Sequence, residues 1–216
     1  MRKSAVLAAL ALGACTQAQM QYKADKNLVE TMAPRINSCF QQVEATPAGR
    51  IVTNLLVQDD DRQAVAKMSI NRNATTDEQR ALLQFSTAVQ PCRDMVLQTF
   101  GQIDAGMFNA QVKFYGNLDL AYVDIISTNV TVGSGNKFIY AARNAAQREV
   151  SSAEAAYLAR LETSHNAEMV ARQQALAAYQ SYQAQQQAAQ TIANAMNRPV
   201  STVCTDYGTQ IRCTTQ

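Results

Sequence analysis

The sequence predicts an all-α protein: a helical bundle or hairpin with one very long C-terminal helix and a small disulfide-closed β-hairpin at the C-terminus. Three observations predict it. Alanine and glutamine supply 36 and 24 of the 216 residues, and only 17% of the chain is charged, against about 25% in an average protein. Apolar residues recur at three- and four-residue spacings through most of the chain before Gly133. Residues 136–198 then contain neither glycine nor proline. Low glycine and proline exclude collagen-like and disordered classes.

The chain opens with Arg2 and Lys3, followed at residues 5–14 by an uncharged, almost wholly apolar run. That run has the length of a signal-peptide core, whereas a bilayer span needs about 20 residues. It closes on Leu12-Gly13-Ala14-Cys15, which resembles the lipobox of bacterial lipoproteins. Small residues before the cysteine let a peptidase reach the bond, and the thiol is the nucleophile that accepts a lipid. The resemblance implies removal of residues 1–14 as a lipoprotein signal peptide and acylation of Cys15. It implies a lipid-anchored place in the bacterial cell envelope and carries nothing about the fold. Thr16 stands where inner-membrane lipoproteins of the enteric type often carry Asp, so the family pattern implies the outer membrane, facing the periplasm. Ordinary secretion with cleavage after Ala18, at Thr16-Gln17-Ala18, is the alternative. Residues 15–25 are read as a tether.

Loss of Arg2 and Lys3 leaves 17 Lys plus Arg against 17 Asp plus Glu, so the isoelectric point of 8.3 belongs largely to the leader. A neutral balance without any Lys/Arg-rich run argues against a nucleic-acid partner and against a polybasic membrane-surface patch. The membrane partner is expected through the N-terminal lipid alone.

A helical domain is expected over residues 26–132. Its first helix, about residues 26–45, contains Pro34, which should kink or restart it, and Thr46-Pro47-Ala48-Gly49 should break it. Residues 51–57 fit a strand or a helical turn. Asp59-Asp60-Asp61 reads as a solvated turn, since the loop spacing and bidentate glutamate of an EF-hand are missing. Thr75 with Glu78, and Thr76 with Gln79, form overlapping capping boxes that start a helix near Asp77. Pro91 should bend it. Phe108, Val112, Tyr115, Asp119, Tyr122, Ile126 and Val130 keep a helical rhythm with one polar fault, although β-branched residues at 123–132 leave a strand open. Gly133-Ser134-Gly135 should end that segment.

Four cysteines remain beyond Cys15, an even number that suggests two disulfides in an exported protein. A two-residue Gly208-Thr209 turn makes Cys204 face Cys213 at a non-hydrogen-bonded position, whose Cα separation of about 4.5 Å lies within disulfide range. Residues 199–216 are therefore read as a disulfide hairpin tail. It resembles the short Cys-Thr-x-Tyr-Gly…Cys-Thr-Thr endings of other exported bacterial proteins, without implying an activity. Cys39 lies on the stripe Val29, Met32, Ile36, Cys39, Val43. Cys92 lies on Leu82, Phe85, Val89, Cys92, Val96, Phe100, Ile103. Both point at an apolar face, either as a disulfide between packed helices or as two buried thiols.

Residues 133–198 form the long Ala/Gln-rich helix. The glycine- and proline-free part, from residue 136, spans roughly 95 Å at about 1.5 Å per residue. Residues 173–197 carry no charge, with Leu176, Tyr179, Tyr182, Ile192 and Met196 spread thinly. So few large side chains bury little area, so this stretch either pairs with another helix or stands as a marginal rod. A protein partner or self-association is expected through 171–197.

No catalytic residue, metal ligand set or cofactor site is assigned. His165 is the only histidine. Glu162-x-x-His165 has the spacing of a di-iron bundle but lacks the second such motif, and with Glu168 it reads as a solvated charge cluster. No phosphate loop, Gly-x-Ser-x-Gly elbow or paired-cysteine zinc site occurs. The tyrosines at 115, 122, 140, 157, 179 and 182 read as packing residues. The expected role is non-enzymatic: a structural or adaptor lipoprotein presenting a helical surface to another envelope component. A subunit of an export, conjugation or pilus apparatus, or an enzyme with a non-local site, are the other classes.

Overall fold

The computed structural model describes residues 16–58, 62–196, 202–206 and 208–215. The expected signal peptide, Cys15 and the aspartate run at 59–61 lie outside the described residues. The chain divides into two units, one ending at His165 and the other beginning at Asn166.

The first unit is all-α. Helix α1 runs Gln17–Glu44, so most of the expected tether is helix. The cause is a capping box overlooked in the sequence: Thr16 Oγ1 accepts from Gln19 N at 3.3 Å, and Gln19 Oε1 accepts from Thr16 N at 3.2 Å. The helix continues through Pro34 without restarting. Thr46-Pro47, expected as a breaker, also starts α2 (Pro47–Leu55). Thr46 Oγ1 accepts from Gly49 N, and Pro47 occupies the first turn, where no N–H is needed. This excludes a strand at 51–55. Helix α3 is a single short piece, Ala64–Met68.

Helix α4 (Thr76–Ala88) starts at the Thr75–Glu78 box, in the region the capping pattern predicts. The single bent helix expected around Pro91 is two: α4 ends and α5 (Gln90–Ile103) begins at Val89, which caps both. Pro91 has no N–H to continue the α4 ladder, so the chain restarts with proline in the first turn. The apolar stripe survives the break, with Leu82, Phe85, Val89, Cys92 and Val96 all buried.

Helix α6 (Ala105–Ile126) settles the helix-or-strand alternative over most of its length. Asp104 caps it through Gly106 N and Met107 N. Helix α7 runs Val132–Met196. Gly133 and Gly135 open it rather than ending the previous segment, because they are points of close approach. A Cβ at Gly133 would lie 2.6 Å from the carbonyl oxygens of Met68 and Ile70, and one at Gly135 would lie 2.4 Å from Ile125 Cδ1.

The core gathers Val52, Leu55 and Leu56 with Leu82 and Phe85 of α4, Leu118 and Ile125 of α6, and Val132 and Ile139 of α7. Helix α1 is fixed to α5 by the Cys39–Cys92 disulfide, with a Cα separation of 5.6 Å.

In the second unit, every described residue of α7 from Gln173 to Met196 is exposed. Strands β1 (Thr202–Asp206) and β2 (Ile211–Thr215) pair antiparallel with Cys204 facing Cys213, and these two are bonded. Gly208 has φ +81°, the left-handed backbone that a glycine-first turn requires.

Candidate functional site

Three regions carry chemistry that the fold positions. The first is the start of α1. Thr16 is 1% exposed, and its Oγ1 lies 2.9 Å from His165 Nδ1 on α7. The solvated cluster expected around His165 is therefore corrected. The imidazole meets Thr16, and Glu168 instead pairs with Arg172 one turn on. The residue following Cys15 is held by the folded unit rather than by a loose linker.

Beside it runs a cleft of about 450 Å³, lined by Tyr22, Asp25 and Val29 of α1, Phe100 and Ile103 of α5, Met107 of α6, and Val150, Tyr157 and Leu158 of α7. Tyr157 is buried and donates its hydroxyl to Asp25. Burial, followed by that carboxylate, holds its phenol above the ordinary tyrosine range, so it stays protonated as a donor. Asp104 serves twice, capping α6 and pairing with Arg160 of α7.

A second cleft, of about 730 Å³, is lined by Gln58, Gln111, Phe114, Tyr140, Arg143, Asn144, Gln147 and Ser151, among others. Among the described residues its lining is amides, hydroxyls, apolar groups and one guanidinium, with no carboxylate, imidazole or thiol. It can offer hydrogen bonds and one positive charge. Among the described residues no group of three or more His, Cys, Asp or Glu side chains lies together as a metal site.

The polar fault at Asp119 has a partner that sequence spacing did not reveal. Arg93 of α5 is 3% exposed and donates to Asp119 at 2.6 Å, while its guanidinium lies 5.0 Å from the Tyr115 ring and 5.9 Å from that of Tyr122. Burial pushes the Tyr115 hydroxyl up to about 12, opposed by Arg93, and raises Tyr122 in the same way. These groups tie α5 to α6. Tyr122 and Tyr157 are packing residues as expected, but Tyr140, Tyr179 and Tyr182 are exposed.

The third region is the uncharged surface of α7. Tyr179 and Tyr182 accept from Gln183 and Gln186 one turn on, and Leu176, Ile192 and Met196 stand exposed among alanines and glutamines.

No protein-family model matches the chain, and no curated protein or solved structure shows a significant match to it.

Proposed function

We propose that the chain is a lipid-anchored bacterial envelope protein with a structural or adaptor role, moored through Cys15 and presenting the helical surface of residues 171–197 to another envelope component. The observation that carries this reading is a helix uncharged and exposed on all sides from Gln173 to Met196. An α-helix of that composition has little to hold it in water unless its surface is covered. The lipobox resemblance at Leu12-Gly13-Ala14-Cys15 supports the mooring, and the two disulfides suit an oxidising compartment outside the cytosol. Among the described residues no helix is long and apolar enough to cross a membrane.

Two measurements test the proposal. Mass spectrometry of the N-terminal peptide should find Cys15 acylated, and Cys15→Ser should release the protein from the membrane fraction. Photo-crosslinkers placed at Leu176 and Gln183 in intact cells should capture a protein neighbour. An unmodified Cys15 behind an intact leader removes the mooring, and no crosslink from either position removes the adaptor role.

A further inference from the structure

Along the uncharged stretch and the turn before it, the residues Ala171, Ala175, Ala178, Tyr182, Gln185, Ala189, Ile192 and Met196 follow one another at steps of 4, 3, 4, 3, 4, 3 and 4. That is the spacing of a two-helix seam. All eight are exposed. Seven are apolar or aromatic, and their sizes are unevenly distributed. The first half holds three alanines and then tyrosine, while the second half holds glutamine, alanine, isoleucine and methionine.

We infer that this seam pairs with the same seam of a second copy of the chain, antiparallel, about a two-fold axis between Gln183 and Ala184. In that register Ala171 meets Met196 of the second copy, Ala175 meets Ile192, Ala178 meets Ala189, and Tyr182 meets Gln185. The alanines at each end thus receive the large apolar side chains, which is how facing layers fill space evenly. A parallel pair stacks alanine on alanine in four layers, and tyrosine, isoleucine and methionine each on itself, leaving gaps beside bulges. The central polar pair is also satisfied. Tyr182 Oη accepts from Gln186 Nε2 at 2.6 Å, so its hydroxyl proton can go to the carbonyl oxygen of Gln185 in the second copy. A polar pair beside the axis fixes the register.

Charge agrees with this assignment. Between Ala171 and Met196 the one charged side chain is Arg172, which pairs with Glu168 of its own helix. Two copies therefore approach without like-charge repulsion, and glutamine amides, being donors and acceptors at once, complement themselves. The contact is modest. A helix of this span is about 39 Å long, and at about 10 Å of breadth the pair buries roughly 800 Å² in total, below the ~1,200 Å² of a stable standard interface. Pairing is thus reversible.

This inference rests on the reading that 171–197 is the chain's contact surface, and it names the partner. Sedimentation equilibrium of the full acylated chain in detergent micelles, over a concentration series, should show a monomer–dimer equilibrium. Ala178→Glu and Ala189→Lys should each weaken it about tenfold or more, because each buries a lone charge. Combined in one chain, they should recover most of the loss, since only the antiparallel register sets residue 178 against residue 189. Gln180→Glu, off the seam, should change the equilibrium by less than about threefold. Circular dichroism verifies that each variant remains helical. Monomer throughout the series, or a double variant weaker than either single one, overturns the inference. Crosslinks in cells from the seam positions 178 and 185 to a different protein, without crosslinks between copies, overturn it while leaving the adaptor role standing.

Discussion

Up to His165, polar groups are buried against the helices they join. Lys67, 7% exposed, donates to Thr53 O at 2.7 Å and Leu56 O at 2.9 Å. Asn136, fully buried, donates to Leu55 O and Lys67 O and accepts from Val57 N. From Gln173 to Met196 the residues are uncharged and all exposed. The first region is fixed by contacts distant in sequence, whereas the second, within one chain, rests on local helical preference. Substitutions that erase long-range contacts should therefore unfold the first region, while the second should respond only to changes of propensity or of partner.

The two disulfides give the largest contrast. Cys39–Cys92 spans 53 positions and Cys204–Cys213 only nine. In the chain-entropy description the first is worth about 4 kcal/mol and the second about 3 kcal/mol. Replacing Cys39 and Cys92 with alanine should lower the thermal midpoint of the helical unit by many degrees. Replacing Cys204 and Cys213 should melt only the terminal ribbon and leave that midpoint in place. Equal shifts of the main transition would erase the distinction between the regions.

Asn136→Ala comes next. It strands Leu55 O and Val57 N in a dry interior, while Lys67 O keeps its bond from Ile70 N, a cost of about 3 kcal/mol in denaturant unfolding. Gln183→Ala on the exposed stretch should stay within about 0.5 kcal/mol.

The legible parts of this fold were those written in local chemistry. Thr75-x-x-Glu78, the stripe through Cys92 and the turn at Gly208 each name their structure within a few residues. Thr16-x-x-Gln19 was equally local, but it sits beside the lipobox-like Leu12-Gly13-Ala14-Cys15, and the expectation of a targeting signal there made a tether the simpler reading. Asn136, Arg93 and the glycines at 133 and 135 were opaque for another reason. Their partners lie 10 to 81 positions away, and spacing along one helix carries no information about Asp119, Leu55, Ile70 or Ile125. The disulfide partners of the hairpin could be paired on turn geometry. Cys39 and Cys92 could only be placed on apolar faces, because helix packing decides whether those faces meet. Of the candidate regions, the uncharged surface was visible in composition, whereas the link from Thr16 to His165 spans 149 positions and was not.

Acid should act on the first region through Glu78. Arg72 holds its carboxylate at about 2, below the ordinary 4.5, through a two-pronged contact at 2.7 Å. A carboxyl lowered by folding stabilises the folded state fully above its unfolded value and loses that contribution as pH falls toward its folded value. The helical unit should therefore weaken between about pH 4.5 and 2, by about 2 kcal/mol once solvent screening at the half-exposed Arg72 is counted. Glu78→Gln should flatten that part of the stability profile.

The smallest effect separates the regions most cleanly, because one substitution can be made in both. Ala121 of α6 is 2% exposed, and Ala184 lies on the exposed stretch of α7. Alanine to glycine costs about 1 kcal/mol of helical preference at either place. At Ala121 it also removes a buried methyl worth about 0.8 kcal/mol, so the whole unit should lose nearly 2 kcal/mol in its unfolding transition. At Ala184 the loss has no packed unit to propagate into, so it should appear as faster amide exchange within a few turns of that residue while the main transition stays unchanged. Transmission of the Ala184→Gly cost to the main transition would show that the exposed stretch is packed against something already, and the contrast between the two regions would fall.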